Sequence, residues 1–185
     1  MRGATVLDRG VPTHINSYST WCSGLIARQG LGLGVPAAMA WGTANLAGFF
    51  PLFLPWNYFL QRFFWCNGTS ATINVDVGIY EPGGQRLAST GSTAQSGASA
   101  VQYAAPSGGA IWLNPGWHYL AFVASATTAA RCFGATIGTV ALGRMTGLVQ
   151  MASALPLPAT ATFAAFGAGG PNFQMFGITN TASGF

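Results

Sequence analysis

The sequence predicts an all-β chain, an antiparallel β-sandwich or jelly-roll-like domain with an extended N-terminal arm. Three observations carry that expectation. Thr72 to Tyr80 alternates, with Ile73, Val75, Val77 and Ile79 on one face and Thr72, Asn74, Asp76 and Gly78 on the other, the period of a half-buried strand. Glu81-Pro82-Gly83-Gly84-Gln85 follows, where proline presets one φ and the glycines allow positive φ, so the run into Arg86 to Thr90 reads as a hairpin. Strand-like segments then recur about every ten residues, which fits a sandwich rather than a parallel α/β sheet.

Taken in order, residues 1–55 read as an arm of loops and short strands that packs against its own domain or a neighbour. Gln29 to Gln61 carries no charge, but Pro36, Gly48, Pro51 and Pro55 interrupt it. No apolar run reaches the roughly 20 residues that a spanning helix needs, so no membrane span is expected. Residues 56–185 form the sandwich domain. Tyr58 to Cys66 is aromatic on both faces, interrupted by Gln61 and Arg62, and predicts a central strand. Asp76 falls on the polar face of its strand.

Ser99 to Tyr103, Ala110 to Leu113 and Trp117 to Ala124 predict further strands, the last two separated by the turn sequence Asn114-Pro115-Gly116. Arg131 to Ile137 and Phe173 to Ile178 are also strand-like. Between them Leu142, Met145, Leu148, Val149 and Ala152 share one face of a short helix. Leu155-Pro156-Leu157-Pro158 forces an extended path, and Gly167 to Gly170 with Pro171 breaks what precedes it. A final strand near Phe173 is expected to close the sheet, in this copy or in a neighbouring one.

Composition narrows the function. Charged residues make up 5% of the 185 residues while half the chain is hydrophobic, against about 25% charged in ordinary domains. Such a surface repels neighbouring copies weakly and leaves apolar patches free for contact, which suits a permanently assembled subunit. The seven basic residues are all arginine, at positions 2, 9, 28, 62, 86, 131 and 144. Without lysine, a P-loop and Schiff-base chemistry are excluded. The arginines are scattered, so the net charge of +4 does not form a nucleic-acid footprint.

Candidate chemistry is sparse. Asp8, Asp76 and Glu81 are the only side-chain acids; Asp76 and Glu81 could be read as a glycosidase-like pair, but a strand acid and a turn acid explain them better. His14 and His118 form no metal-binding pattern, and alternation places His118 opposite Trp117 and Tyr119. No Gly-x-Ser-x-Gly elbow is present, and Gly30-Leu31-Gly32-Leu33-Gly34 lacks the third glycine spacing of a dinucleotide loop. Cys22, Cys66 and Cys132 are widely spaced and read as buried free thiols. Asn67-Gly68-Thr69 matches a glycosylation sequon, read as chance because the start of the chain opens no signal-peptide run. No cofactor, metal or catalytic residue is assigned.

Aromatic rings are the one constellation with a binding role. Trp41, Phe49, Phe50, Phe53 and Trp56 lie beside prolines in the arm, where large rings anchor interfaces at small entropic cost or stack on sugars. Core packing accounts for a share of them.

The stretches Val75 to Ser92, Leu113 to Ala121 and Met151 to Thr160 resemble β-sandwich virion proteins of tailed bacteriophages. The resemblance spans roughly the last two thirds of the chain and is a pattern of strands and turns without a catalytic signature. It implies a non-enzymatic structural subunit located in the virion, a capsid decoration or head-attached accessory protein that is homo-oligomeric, commonly trimeric, and held to other capsid or tail subunits by its apolar arm. The alternative is a tail or fibre component that acts as a host-glycan receptor-binding module.

Overall fold

The computed structural model describes residues 20–22, 37–127, 132–135, 140–152, 154–167, 173–174 and 176–180. The remainder of the expected arm, both ends of the strand expected at 131–137 and the Gly167 to Gly170 break lie wholly or partly outside these residues.

Within them the chain is almost entirely β, and every strand pairing is antiparallel. The strands are β1 (Thr20–Cys22), β2 (Ala37–Met39), β3 (Ala47–Leu54), β4 (Tyr58–Leu60), β5 (Arg62–Cys66), β6 (Asn74–Tyr80), β7 (Arg86–Ser89) and β8 (Thr93–Ala94). They continue with β9 (Val101–Ala104), β10 (Ile111–Leu113), β11 (Gly116–Ala124) and β12 (Cys132–Ala135). After the helix α1 (Val140–Met145) come β13 (Val149–Met151), β14 (Ala164–Ala165), β15 (Phe173–Gln174) and β16 (Phe176–Thr179).

One layer is a sheet ordered β14-β13-β3-β11-β6-β7, with β8 also on β6. The other combines a four-stranded sheet, β1-β16-β5-β9, with the β4/β10 pair. A separate sheet joins β15, β12 and β2. The core between the layers follows the period-2 rule: Phe50, Leu52 and Leu54 of β3, Leu120 and Phe122 of β11, and Val75, Val77 and Ile79 of β6 meet Leu60, Phe63, Trp65, Phe176 and Ile178. Phe122 sits at the centre, its ring 4.9 Å from Trp41 and 5.3 Å from Phe176.

The large sheet is covered on its other face too. Phe49, Tyr80, Ala121 and Val123 point that way and are buried by Ala154, Leu157 and Ala161, with Phe163 packed against them. The segment that follows β13 therefore acts as a strap across the sheet. Its route is fixed where Gly78 and Gly84 leave no room for a side chain. A Cβ on Gly84, which has φ 87°, would lie 2.3 Å from the Ala161 carbonyl oxygen, and one on Gly78 would lie 2.8 Å from Leu157 Cδ1. The β6/β7 hairpin expected from sequence is present, with a bulge opposite Ile79 and Tyr80.

Several expectations are corrected. Residues 47–54 do not belong to an arm: β3 pairs along its length with β11 and at Ala47–Phe49 with β13. Its apolar residues on both faces are those of a strand in the middle of a covered sheet. The 58–66 run is two strands that join β10 and β16 respectively, divided at Gln61, whose N–H bonds to the Thr179 carbonyl. β10 and β11, on either side of 114–115, pair with different strands, β4 and β3. The helix ends at Met145 and Val149 belongs to β13. Gly147, at φ 76°, donates to the Arg144 carbonyl and Leu148 to that of Gly143, a Schellman stop that fixes the end. The terminal strand β16 is internal, between β1 and β5.

Replacing Phe122 by alanine empties the centre of the main core, and a destabilisation of about 3–5 kcal/mol is expected. Denaturant unfolding with an unchanged m-value checks it.

Candidate functional site

The five interface candidates divide sharply. Trp41, Phe49 and Phe50 are buried, and Trp41 is anchored by Nε1 donating to the Leu46 carbonyl at 2.8 Å. They belong to the core, a correction that follows for Phe49 and Phe50 from β3 lying inside the sheet and for Trp41 from its ring packing on Phe122. Phe53 and Trp56 remain exposed, at 48% and 38%.

Trp112, which the sequence did not single out, and Trp117, set aside there with its neighbour His118, are more exposed still, at 69% and 61%. The register brings all four rings to one corner of the sandwich. β3 and β11 run as a pair out of the large sheet, with Phe53 opposite Trp117 and Leu54 opposite Gly116. They re-form as β4 and β10, with Tyr58 opposite Leu113 and Phe59 opposite Trp112. Three residues, 55–57, thus face two, 114–115, at the bend. Such an unequal count is how paired strands turn from one sheet into another.

The inward residues at the bend, Leu54, Tyr58 and Leu113, belong to the main core, so alternation forces their neighbours outward. Phe53 and Trp117 form one cross-strand pair with centroids 5.3 Å apart, and Phe59 and Trp112 form a second at 4.9 Å. Trp56, Asn57, Asn114 and Pro115 are exposed between the two pairs. His118, on the inner face, is within 2.9 Å of the Asn114 carbonyl through Nε2. The carbonyl can only accept, so Nε2 carries the hydrogen and fastens the turn to β11. Nδ1 is buried and has no hydrogen-bond partner among the described residues. The Trp117-His118-Tyr119 alternation was legible in sequence, whereas the pairing of Trp112 with Phe59 was not.

The candidate chemical groups lie elsewhere. Asp76 is fully buried, in contrast to the polar-face position expected for it. The strap explains this: it covers that face, the Leu157 N–H donates to Asp76 Oδ2 at 2.9 Å, and Thr90 Oγ1 donates to Oδ1 at 3.0 Å. Tyr80 donates to the Pro158 carbonyl at 2.7 Å and the Arg86 guanidinium to that of Leu157. Glu81 lies exposed in the hairpin turn. Burial raises the Asp76 pKa above its ordinary 3.8, while the hydrogen bonds from Leu157 and Thr90 and the charge of Arg86 pull the other way. Burial also raises Tyr58 and Tyr80.

Asn67, the sequon residue, is buried and committed. Its Nδ2 reaches the carbonyls of Ser96 and Gly97 and Gln102 Oε1, while Oδ1 accepts from Trp65 Nε1 at 2.9 Å. An oligosaccharyl transferase cannot reach that nitrogen in the folded chain. Cys66 is half-buried. Among the described residues no three His, Cys, Asp or Glu side chains gather as a metal site would require, and no helix is long and apolar enough to cross a membrane. A shallow depression of about 210 Å³ beside β7, lined by Arg86, Ser89, Ser107 and Gly109, is smaller than an ordinary ligand pocket.

The Asp76 environment fixes the sign of a pH effect. Between 3.8 and the raised value the folded chain holds a proton that the unfolded chain has released. Stability is therefore greatest below that window, falls as pH rises through it and levels off above it. With so few carboxylates in the chain, chemical denaturation across the window should follow this course, and Asp76→Asn should flatten it. Stability that rose with pH there would show that the hydrogen bonds to the carboxylate outweigh its burial.

Compared with protein-family models, curated proteins and solved structures, the chain finds no match.

Proposed function

We propose that this chain is a non-enzymatic structural subunit of a tailed-phage virion, a capsid decoration or head-attached accessory protein seated on its neighbours by apolar contacts. The observation that carries this reading is the distribution of charge. Neither 29–61 nor 87–130 contains a charged residue, and together they supply β2 to β4 and β8 to β11. A surface of that kind attaches through apolar and backbone contacts rather than ion pairs, and it suits a protein that is permanently assembled.

Two further facts support it. The three stretches that resemble phage sandwich proteins are adjacent in space, since β6 pairs with β11 and the 151–160 strap is bonded to Asp76, Tyr80 and Arg86. Asp76, one of the acids a polysaccharide hydrolase would need, is buried and occupied by the strap. A homo-oligomer, commonly a trimer in such proteins, belongs to the same reading. The second reading, a tail or fibre component that binds host glycans, is favoured by the outward rings of Trp112 and Trp117.

Purified particles washed in molar salt should keep the protein, because salt screens charges but does not weaken apolar burial. Complete release by salt would overturn the apolar attachment. Absence of the chain from unwashed particles would overturn the virion assignment.

A further inference from the structure

We propose that the corner where β3 and β11 turn into β4 and β10 is a binding site for neutral glycans, with Trp112 and Trp117 as its stacking platforms. The proposal takes the glycan-binding reading to specific residues and a ligand class.

The first argument is exposure without necessity. Trp112 and Trp117 sit on paired strands whose alternate residues fill the core, and a polar residue at either position would satisfy the same backbone. Each ring instead stands outward with a second ring, Phe59 or Phe53, at its side. That neighbour restricts the rotamers of the tryptophan and leaves part of its surface open. Strand pairing on both sides of the bend and the His118 tie to the Asn114 carbonyl hold the platforms in place. Little ordering entropy is then lost on binding.

The second argument is the chemistry of the surroundings. No charged residue occurs in either segment that builds the corner. The polar groups at the bend are the exposed carboxamides of Asn57 and Asn114, which can both donate and accept. A pyranose ring has the matching composition: an apolar face of C–H bonds, polarised positive, to lie on the electron-rich face of an indole, and a rim of hydroxyls for amides. An acidic glycan, a nucleic acid or a charged peptide would find no partner for its charge in those two segments.

The third argument is size. The exposed parts of Phe53, Trp56, Trp112 and Trp117 amount to about two whole aromatic side chains, or roughly 400 Å². That is ample for a few sugar units lying across two platforms, and the preference for a sugar over a second protein surface rests on the neutral carboxamides beside the rings.

Purified protein run through native gels containing dextran, a β-1,3-glucan or galactomannan, and applied to an array of neutral and acidic glycans, tests the proposal. Retardation by a neutral polysaccharide, or binding of a neutral array glycan, is expected, and it should be unchanged in molar salt. Trp112→Ala and Trp117→Ala should each weaken binding about tenfold and abolish it together. Both positions are exposed, so circular dichroism and the unfolding midpoint should stay close to those of the parent.

Failure to bind any neutral glycan would overturn the proposal. So would binding that survives the double substitution, binding restricted to acidic glycans, or self-association that the double substitution removes while no glycan is bound. Glycan binding is measured on the isolated protein and particle attachment on washed particles, so the site and the virion assignment can fail separately.

Discussion

β11 is the strand on which the structure depends. It is paired along one edge with β3 and along the other with β6, and both of its faces are buried from Leu120 onward. Leu120 and Phe122 fill the core between the layers, while Ala121 and Val123 meet the strap on the opposite side. A strand in that position cannot slip: a shift by one residue would exchange its two apolar faces and detach both neighbours. The same rigidity extends past its N-terminal end, where Trp117 and Gly116 carry the register into the exposed corner.

A chain so poor in charge must satisfy its buried polar groups with neutral partners. It does so largely through side chains that bond to backbone carbonyls, Trp41 over five residues and the others over 29 or more. Asn67 gathers the Ser96 and Gly97 carbonyls with Gln102, Tyr80 and Arg86 hold carbonyls of the strap, and Trp41 caps the Leu46 carbonyl. Asp76 is the exception, a carboxylate committed to the inside. Its two oxygens join the strap to the β6/β7 region, and burial opposes its ionisation there. Buried polar networks of this kind favour one arrangement over its competitors because each unpaired member would cost free energy.

Attachment and recognition are the two roles proposed for the uncharged part of the chain. Within the uncharged runs, the bend concentrates four exposed rings and two carboxamides. The corner arises from the fold itself. Where two paired strands pass from one sheet to the next, alternation turns every second residue away from the core. Placing tryptophan there retains in solvent an apolar area that a soluble domain would ordinarily reduce.

Sequence alone determined the β class, the β6/β7 hairpin and the exclusion of lysine chemistry, because these follow from alternation, turn residues and residue counts within short windows. It also offered Phe53 and Trp56 among five candidate rings. It could not distinguish them from Trp41, Phe49 and Phe50, since all five lie in an uncharged aromatic run whose burial depends on partners 60 or more residues away, such as β11. Nor did it identify Trp112, whose role rests on a register with Phe59, or place Asp76 inside, because the strap that covers it arrives 81 residues later. Local periodicity fixes which side chains share a face; only the tertiary structure decides whether that face meets another layer, a strap or solvent.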